Sequence, residues 1–411
     1  MKKISNNDVI IVGTGMVGLS LAYQLKEKYN NLNITFIEKE RKIGLHSSGR
    51  NSGVIHAGIY YPPNSLKAKV CVNGARRLKD WIEDNNISIL KCGKIIIPQK
   101  SELDSQLDVL YERGIKNGAE VSLINEKELL SMAPMAKSSS GRGLWSPNTS
   151  VVNPSEVLDK LYKIVKSKKV NFIFNSYIKE VDENSNMLKV VNKNSSAKNI
   201  KISYGYLFNC AGSQADKVAS LFKVGLNYKI LPFKGIYWDL KKDAPFKIKT
   251  NLYPVPDLKM PFLGVHATPD ISGRICFGPT AIPAFGKENY KNLEKFEPMM
   301  SIAFLGVLLK QIINNENNFR EYALNQALLG LKPLFIKSLQ EIIPEIKMEH
   351  LKLSSKVGIR SQLYDKKNDC LVNDFLLKKS EKSLHVLNAI SPAFTASFSL
   401  ADLIISETNT F

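Results

Sequence analysis

The apolar positions of this chain change period from one stretch to the next, and each change marks an element. Residues 9–12, VIIV, are an unbroken apolar run, as in a strand buried on both faces. Helical spacing follows at once, with Val17, Leu21 and Leu25 four apart on one face. A second apolar run, 34–37, predicts another buried strand. The same switch recurs far downstream, where the run 206–209 meets Gly212 and then a helical stretch over 213–222. Between these units the spacing predicts helices over 66–85, 102–117, 126–131 and 153–166, the last with Pro154 in its first turn. Strands are predicted within 87–98, 121–124, 151–152, 170–174 and 177–181, followed by a polar hairpin over 184–199. Further on come strands within 231–238, 253–257, 261–266, 274–278, 356–359 and 384–388. Helices are predicted over 296–313, 321–336 and 338–343, and a terminal helix opens at 391–397 and runs to about 406.

The first of these switches carries chemistry. Between strand and helix lie Gly13-Thr14-Gly15-Met16-Val17-Gly18, and the second strand ends in Glu38, twenty residues past Gly18. Strand, GxGxxG, helix, strand and acid together are the dinucleotide-binding fingerprint in its full context. Gly13 permits the tight turn, Gly15 lets the backbone approach a pyrophosphate, and Gly18 lets helix and strand pack closely. The helix N-terminus offers N–H groups and a positive dipole end to the phosphates. Glu38 can accept hydrogen bonds from an adenosine ribose and disfavours a 2′-phosphate. The fingerprint alone does not separate FAD from NAD.

Composition narrows the partners. The 411 residues are 44% hydrophobic and 23% charged, ample for two globular domains. Lys and Arg number 57 against 38 Asp and Glu, a net charge of +19 that favours an anionic substrate or an anionic membrane surface. The basic residues are scattered, with only short runs such as Lys166-Ser167-Lys168-Lys169, so nucleic acid is not an expected partner. Cysteines at 71, 92, 210, 276 and 370 form no CxxC pair, so neither a metal nor a disulfide is expected. That usage suits a reducing cytoplasm. The N-terminal apolar run holds the glycine motif and lacks a small-residue cleavage site, so no signal peptide is expected. No apolar run is long enough for a transmembrane helix. The run 302–309, IAFLGVLL, has two readings: a packed helix, or one lying on a membrane surface.

Residues 46–61, HSSGRNSGVIHAGIYY, are dense in glycine and hydrogen-bonding side chains and suit close approach of backbone to a ligand. Together with the stretch up to Leu78, they resemble the signature of the L-2-hydroxyglutarate dehydrogenase/oxidase family, FAD enzymes of the D-amino-acid-oxidase-like superfamily. Further matches are Lys91-Cys92-Gly93-Lys94, Pro232-Phe233-Lys234-Gly235, Tyr253-Pro254-Val255-Pro256-Asp257, Pro261 to His266, Phe277-Gly278-Pro279, Gly358-Ile359-Arg360-Ser361-Gln362 and Asn388 to Ser397. The similarity covers nearly the whole chain in order. Four positions depart from the family pattern: Arg50 where His is usual, Asn153 for Asp, Lys234 for Arg, and Thr280 for Asn.

The resemblance implies FAD and an α/β fold. It consists of a discontinuous Rossmann-like FAD-binding domain with a parallel sheet, over 1–85, 150–222 and 356–411. A mixed-sheet α+β substrate domain takes 86–149 and 223–355. Cofactor contacts are implied at Gly13, Gly15, Met16, Val17 and Gly18, at Glu38, Lys39 and His46, and at Ser47, Ser48, Asn51 and Ser52. Ala211, Gly212, Pro392, Ala393, Phe394 and Thr395 complete the set, with a terminal helix from near Phe394 aiming its N–H groups at the flavin ring. The implied reaction is oxidation of L-2-hydroxyglutarate to 2-oxoglutarate by hydride transfer to the flavin. Another 2-hydroxy acid, glycerol-3-phosphate or an amino acid stays open as substrate. A flavin-binding protein without catalysis is the alternative of a different class. Such an oxidation needs a proton acceptor, for which His56 and His266 are the candidates in the family-like motifs. It also needs a carboxylate clamp: Arg360 is the best candidate and Lys234 a weaker one. The electron acceptor is oxygen or a quinone. Residence is expected in the cytoplasm, with peripheral contact at the inner membrane face as a further reading.

Overall fold

The computed structural model describes residues 2–4, 8–195, 199–258, 263–292 and 294–408. Its nucleotide-side sheet has six strands, ordered Asn171–Ile173, Ile34–Ile37, Val9–Val12, Tyr206–Asn209, Ser383–Asn388 and Leu376–Lys379. All pairings are parallel except the last. The inner strands read as continuous apolar runs because helices cover them: Met16–Lys28 packs against Ser397–Ser406 and Pro154–Ser167. The first strand leads through Met16–Lys28 to one neighbour, while Tyr206–Asn209 flanks it on the other side. This reversal of direction opens a crevice at the carboxyl ends of Val9–Val12 and Tyr206–Asn209, where such sheets bind ligands.

A ten-stranded mixed sheet forms the second body of structure. Its longest pairing joins Tyr228–Leu240 to Leu351–Asp365, antiparallel, with Phe233 opposite Arg360. It continues through Ile275–Gly278, His266–Pro269 and Asn251–Pro254 to Lys94–Ile97, Gly143–Ser146 and Ser122–Ile124. Residues 356–365, grouped by sequence with the nucleotide segments, therefore pair within the larger sheet. A three-stranded sheet of Val54–Ile55, Ser150–Val152 and Ile89–Leu90 lies between chain segments of the two.

Three other expectations need correction. The polar hairpin over 184–199 contains a strand, Met187–Asn192, which joins a four-stranded sheet with Lys2–Ile4, Ile200–Ser203 and Ser176–Asp182. Its buried residues Leu188 and Val190 alternate with half-buried Met187, Lys189 and Val191, and the polar runs on either side make the stretch look polar on average. The helix expected over 321–336 is two helices, Phe319–Leu328 and Lys332–Gln340. Gly330 breaks the first, and Pro333 starts the second at a first-turn position where its missing N–H costs nothing. The strand expected over 261–266 begins only at His266, and Pro261 and Phe262 lie outside the described residues.

Candidate active site

One cavity of about 680 Å³ runs from the glycine turn to the ten-stranded sheet. At its nucleotide end Gly13 has φ +99°, and a Cβ there would lie 2.5 Å from the Cys210 carbonyl oxygen. Only glycine allows the two strand ends to approach so closely. Gly15 caps the helix Met16–Lys28, whose first turn carries no acidic residue. A Cβ on Gly15 would meet Ser48 Oγ at 2.9 Å, and the same hydroxyl accepts the Met16 N–H at 2.9 Å. Gly212, with φ +56°, has nothing within 4 Å of where a Cβ would be. A turn, a helix N-terminus with a glycine at its cap and open glycine backbone make a cradle that fits a pyrophosphate.

Glu38 has a second use that the sequence reading missed. Its Oε2 accepts from Thr14 N at 2.8 Å and Thr14 Oγ1 at 2.7 Å, and Oε1 accepts from Glu40 N at 2.9 Å. The carboxylate thus braces the glycine turn and keeps lone-pair capacity for a ribose. Lys39 Nζ lies among Glu40, Glu288 and His46, and His46 Nδ1 shares a hydrogen bond with Tyr290 Oη at 2.9 Å. These contacts latch residues 39–46 to the segment around 288–290. Burial, then the Lys39 charge, push the His46 imidazole below its ordinary range.

At the far end the cavity is walled by His56, His266, Tyr253, Tyr237 and Arg360. His266 Nδ1 donates to the Gly264 carbonyl at 2.8 Å, which leaves Nε2 as the free acceptor. Burial pushes its pKa down to about 3. The His56 backbone N–H donates to Thr395 Oγ1 at 3.1 Å, and its Nε2 lies 3.5 Å from Ser391 Oγ. Burial holds the His56 pKa well below the ordinary range, and the positive charges of Lys94 and Arg360 add to this. Both imidazoles are therefore neutral near pH 7, the state a proton acceptor needs. Arg360 stands on the rigid strand Leu351–Asp365, where burial lowers the guanidinium to about 10, so it stays charged.

The cavity wall brings together every candidate cofactor residue except Gly18. Gly18 packs behind the turn, where a Cβ would lie 2.2 Å from Gly13 O. Lys234 is also absent from the wall, and its Nζ donates to Asn289 Oδ1 at 2.8 Å. Strand alternation explains this: Phe233, Gly235 and Tyr237 face the cavity, so Lys234 faces away. The terminal helix starts at Ser397, after a turn over 391–396, rather than near Phe394. Thr395 Oγ1 ties that turn to Val54 O at 3.3 Å.

The departures from the family pattern have local structural uses. Asn153 caps the helix Pro154–Ser167, accepting from Ser155 N at 3.0 Å. Thr280 Oγ1 accepts from Ile236 N at 3.0 Å and so closes the strand beside Lys234. Arg50 lies 4.1 Å over the Tyr290 ring and donates through Nε to Leu45 O at 2.8 Å.

A fold that buries a dinucleotide cradle against a histidine–arginine wall defines a class. Residues 8–406 match the FAD dependent oxidoreductase family, and the chain belongs to that family. FAD is its cofactor. Within the family the chain is 34% identical over 407 residues to an L-2-hydroxyglutarate dehydrogenase of Indibacter alkaliphilus, covering 96% of this chain and 97% of that one. It is 36% identical to a mitochondrial L-2-hydroxyglutarate dehydrogenase of Caenorhabditis briggsae, covering 97% and 92%. These are the relatives that the sequence motifs implied. In fold it is similar to an FAD-bound L-alpha-glycerophosphate oxidase of Mycoplasma pneumoniae, with TM-score 0.76 at 21% identity over 98% of this chain and 94% of that chain.

Proposed function

We propose that the chain oxidises L-2-hydroxyglutarate to 2-oxoglutarate. The observation that carries this reading is the single cavity joining the glycine turn to His56, His266 and Arg360. Oxidising a secondary alcohol removes a proton from oxygen and a hydride from carbon, and bound FAD supplies the hydride acceptor. The chain's residues do the rest. An imidazole, His56 or His266, takes the hydroxyl proton. Arg360 binds the carboxylate beside the reacting carbon with its planar fork. The buried rings of Tyr253 and Tyr237 keep water from the reacting atoms. The segments of the six-stranded sheet form the cofactor part, and the ten-stranded sheet forms the substrate part.

Anaerobic bleaching of the flavin against a panel of hydroxy and amino acids tests the substrate. L-2-hydroxyglutarate should bleach it fastest. Faster bleaching by glycerol-3-phosphate or an amino acid would move the assignment to that substrate. His56→Ala should slow bleaching by roughly 10²-fold or more, the usual weight of general-base catalysis, with FAD content unchanged. A native rate in His56→Ala beside a slow His266→Ala would give the role to His266.

The chain also has a surface suited to an anionic membrane. In the helix Pro298–Asn314, Met300, Ser301 and Phe304 are buried, whereas Met299, Ile302, Leu309 and Ile313 are 80%, 66%, 59% and 73% exposed. Exposed Leu324 and Leu331 add to this apolar surface. Lys310 is the helix's one charged side chain, Lys295 and Arg320 flank it, and the chain carries +19 overall. Glu294, Glu297, Glu316 and Glu321 flank it as well, and Lys310 pairs with Asp369, so it is the apolar face of a chain with net positive charge that fits the interface of a bilayer containing anionic lipid. No helix among the described residues is long and apolar enough to cross a membrane. In this setting a membrane quinone is the electron acceptor, with oxygen as the alternative, and the chain works from the cytoplasmic side. Vesicles containing phosphatidylglycerol should float the protein. Ile302→Glu combined with Leu309→Glu should abolish flotation while leaving anaerobic bleaching intact, and flotation of the double variant would remove the proposal.

A further inference from the structure

Lys94 is fully buried at the start of the strand Lys94–Ile97, and among the described residues its Nζ has no hydrogen-bond or ion-pair partner. It pairs with Asn251, so Tyr253 lies two positions further along the same face of the sheet. Its Nζ lies 4.4 Å from the centroid of the Tyr253 ring and 5.1 Å from that of Tyr60. The Tyr253 ring in turn meets the His266 ring, with centroids 3.8 Å apart. Tyr253 and His266 line the cavity and Lys94 does not. The order outward from the cavity is therefore imidazole, phenol ring, ammonium.

We propose that Lys94 is a positioning residue for the proton acceptor: it sets a positive charge behind Tyr253, holds Tyr253 against His266, and adds to the burial that opposes protonation of His56 and His266. The inference rests on the reading of these imidazoles as proton acceptors. The groups facing Lys94 are Cys71 on the helix Leu66–Asp84, Cys92 in the turn before its own strand, Tyr60, Tyr253, His56 and His266. None is acidic near neutral pH. Burial lowers the Lys94 amine to about 7, whereas His266 is pushed down to about 3. As pH falls, the amine takes the cluster's proton first, and its charge then opposes protonation of the imidazoles. The face of an electron-rich ring is a fitting seat for that charge.

The test uses the FAD-loaded protein and two readouts. In native protein, NMR of 13Cε-labelled lysine and of the five histidine rings follows who is protonated as pH falls. Lys94 should titrate near neutrality and before His56 and His266; an imidazole that titrates first overturns the proposal. In Lys94→Met, which keeps the length and apolar stem of the side chain, the His266 titration should move up by about one pH unit or more. The acid limb of anaerobic bleaching should move with it, and Lys94→Arg should restore both. Unmoved imidazoles in a Lys94→Met protein with full FAD content would also overturn it. The two readings fail separately. Native bleaching rates in both His56→Ala and His266→Ala would remove the proton-acceptor role, while the imidazole titrations would still report the Lys94 coupling.

Discussion

Gly15→Val should yield a folded protein without FAD. Gly15 has φ −76° and ψ 178°, an extended conformation open to any residue, so the substitution brings no backbone strain. The added Cβ would stand 2.9 Å from Ser48 Oγ, the acceptor of the Met16 N–H. The two valine methyls must displace Ser48 or fill the cavity where the helix N-terminus meets the phosphates. Either outcome removes the cradle while the strand and helix behind it stay packed. Gly13→Val differs, because Gly13 combines φ +99° with a carbonyl 2.5 Å from its would-be Cβ, so that variant should fail to fold. Far-UV circular dichroism checks folding, and heat release followed by chromatography measures bound nucleotide. A Gly15→Val protein with native FAD content would show that the pyrophosphate lies elsewhere.

That contrast explains what could be read from sequence. The glycine turn is local: Gly13, Gly15, Gly18 and Glu38 fall within one strand–helix–strand unit, so spacing alone assigns each a place. Gly212 was legible because the same switch of period recurs before it. The wall at the other end is not local. Lys94 meets Tyr253 through a pairing of strands more than 150 residues apart, and no periodicity reports such a pairing. Lys234 lies outside the cavity wall because a motif gives proximity along the chain, whereas a strand turns alternate residues to opposite faces. The brace from Glu38 to Thr14 left no signal beyond the acid itself, since a carboxylate suited to a ribose and one suited to a turn are the same residue type. The split of 321–336 was readable in principle, because Gly330 and Pro333 together outweigh the apolar spacing around them.

Arg360→Met should cost about 2–5 kcal/mol in transition-state binding, or roughly thirty-fold to several-thousand-fold in kcat/KM for L-2-hydroxyglutarate. Two carboxylates enter a site that excludes water, and an unpaired buried carboxylate is costly. Arg360 lines the cavity from a strand whose register opposite Phe233 is fixed, with the Phe233 ring packed on Phe304 at 5.2 Å. The neutral phenols of Tyr322 and Tyr61 lie near it. Arg360→Lys keeps the charge but replaces a planar fork by a point charge, so its loss should be smaller yet clear. The comparison that assigns the role uses L-lactate, which has the alcohol and its adjacent carboxylate but no second acid. If Arg360 holds the carboxylate next to the reacting carbon, Arg360→Met impairs both substrates by similar factors. A loss confined to the diacid would move Arg360 to the distal carboxylate, and equal native rates on both would take it out of the site.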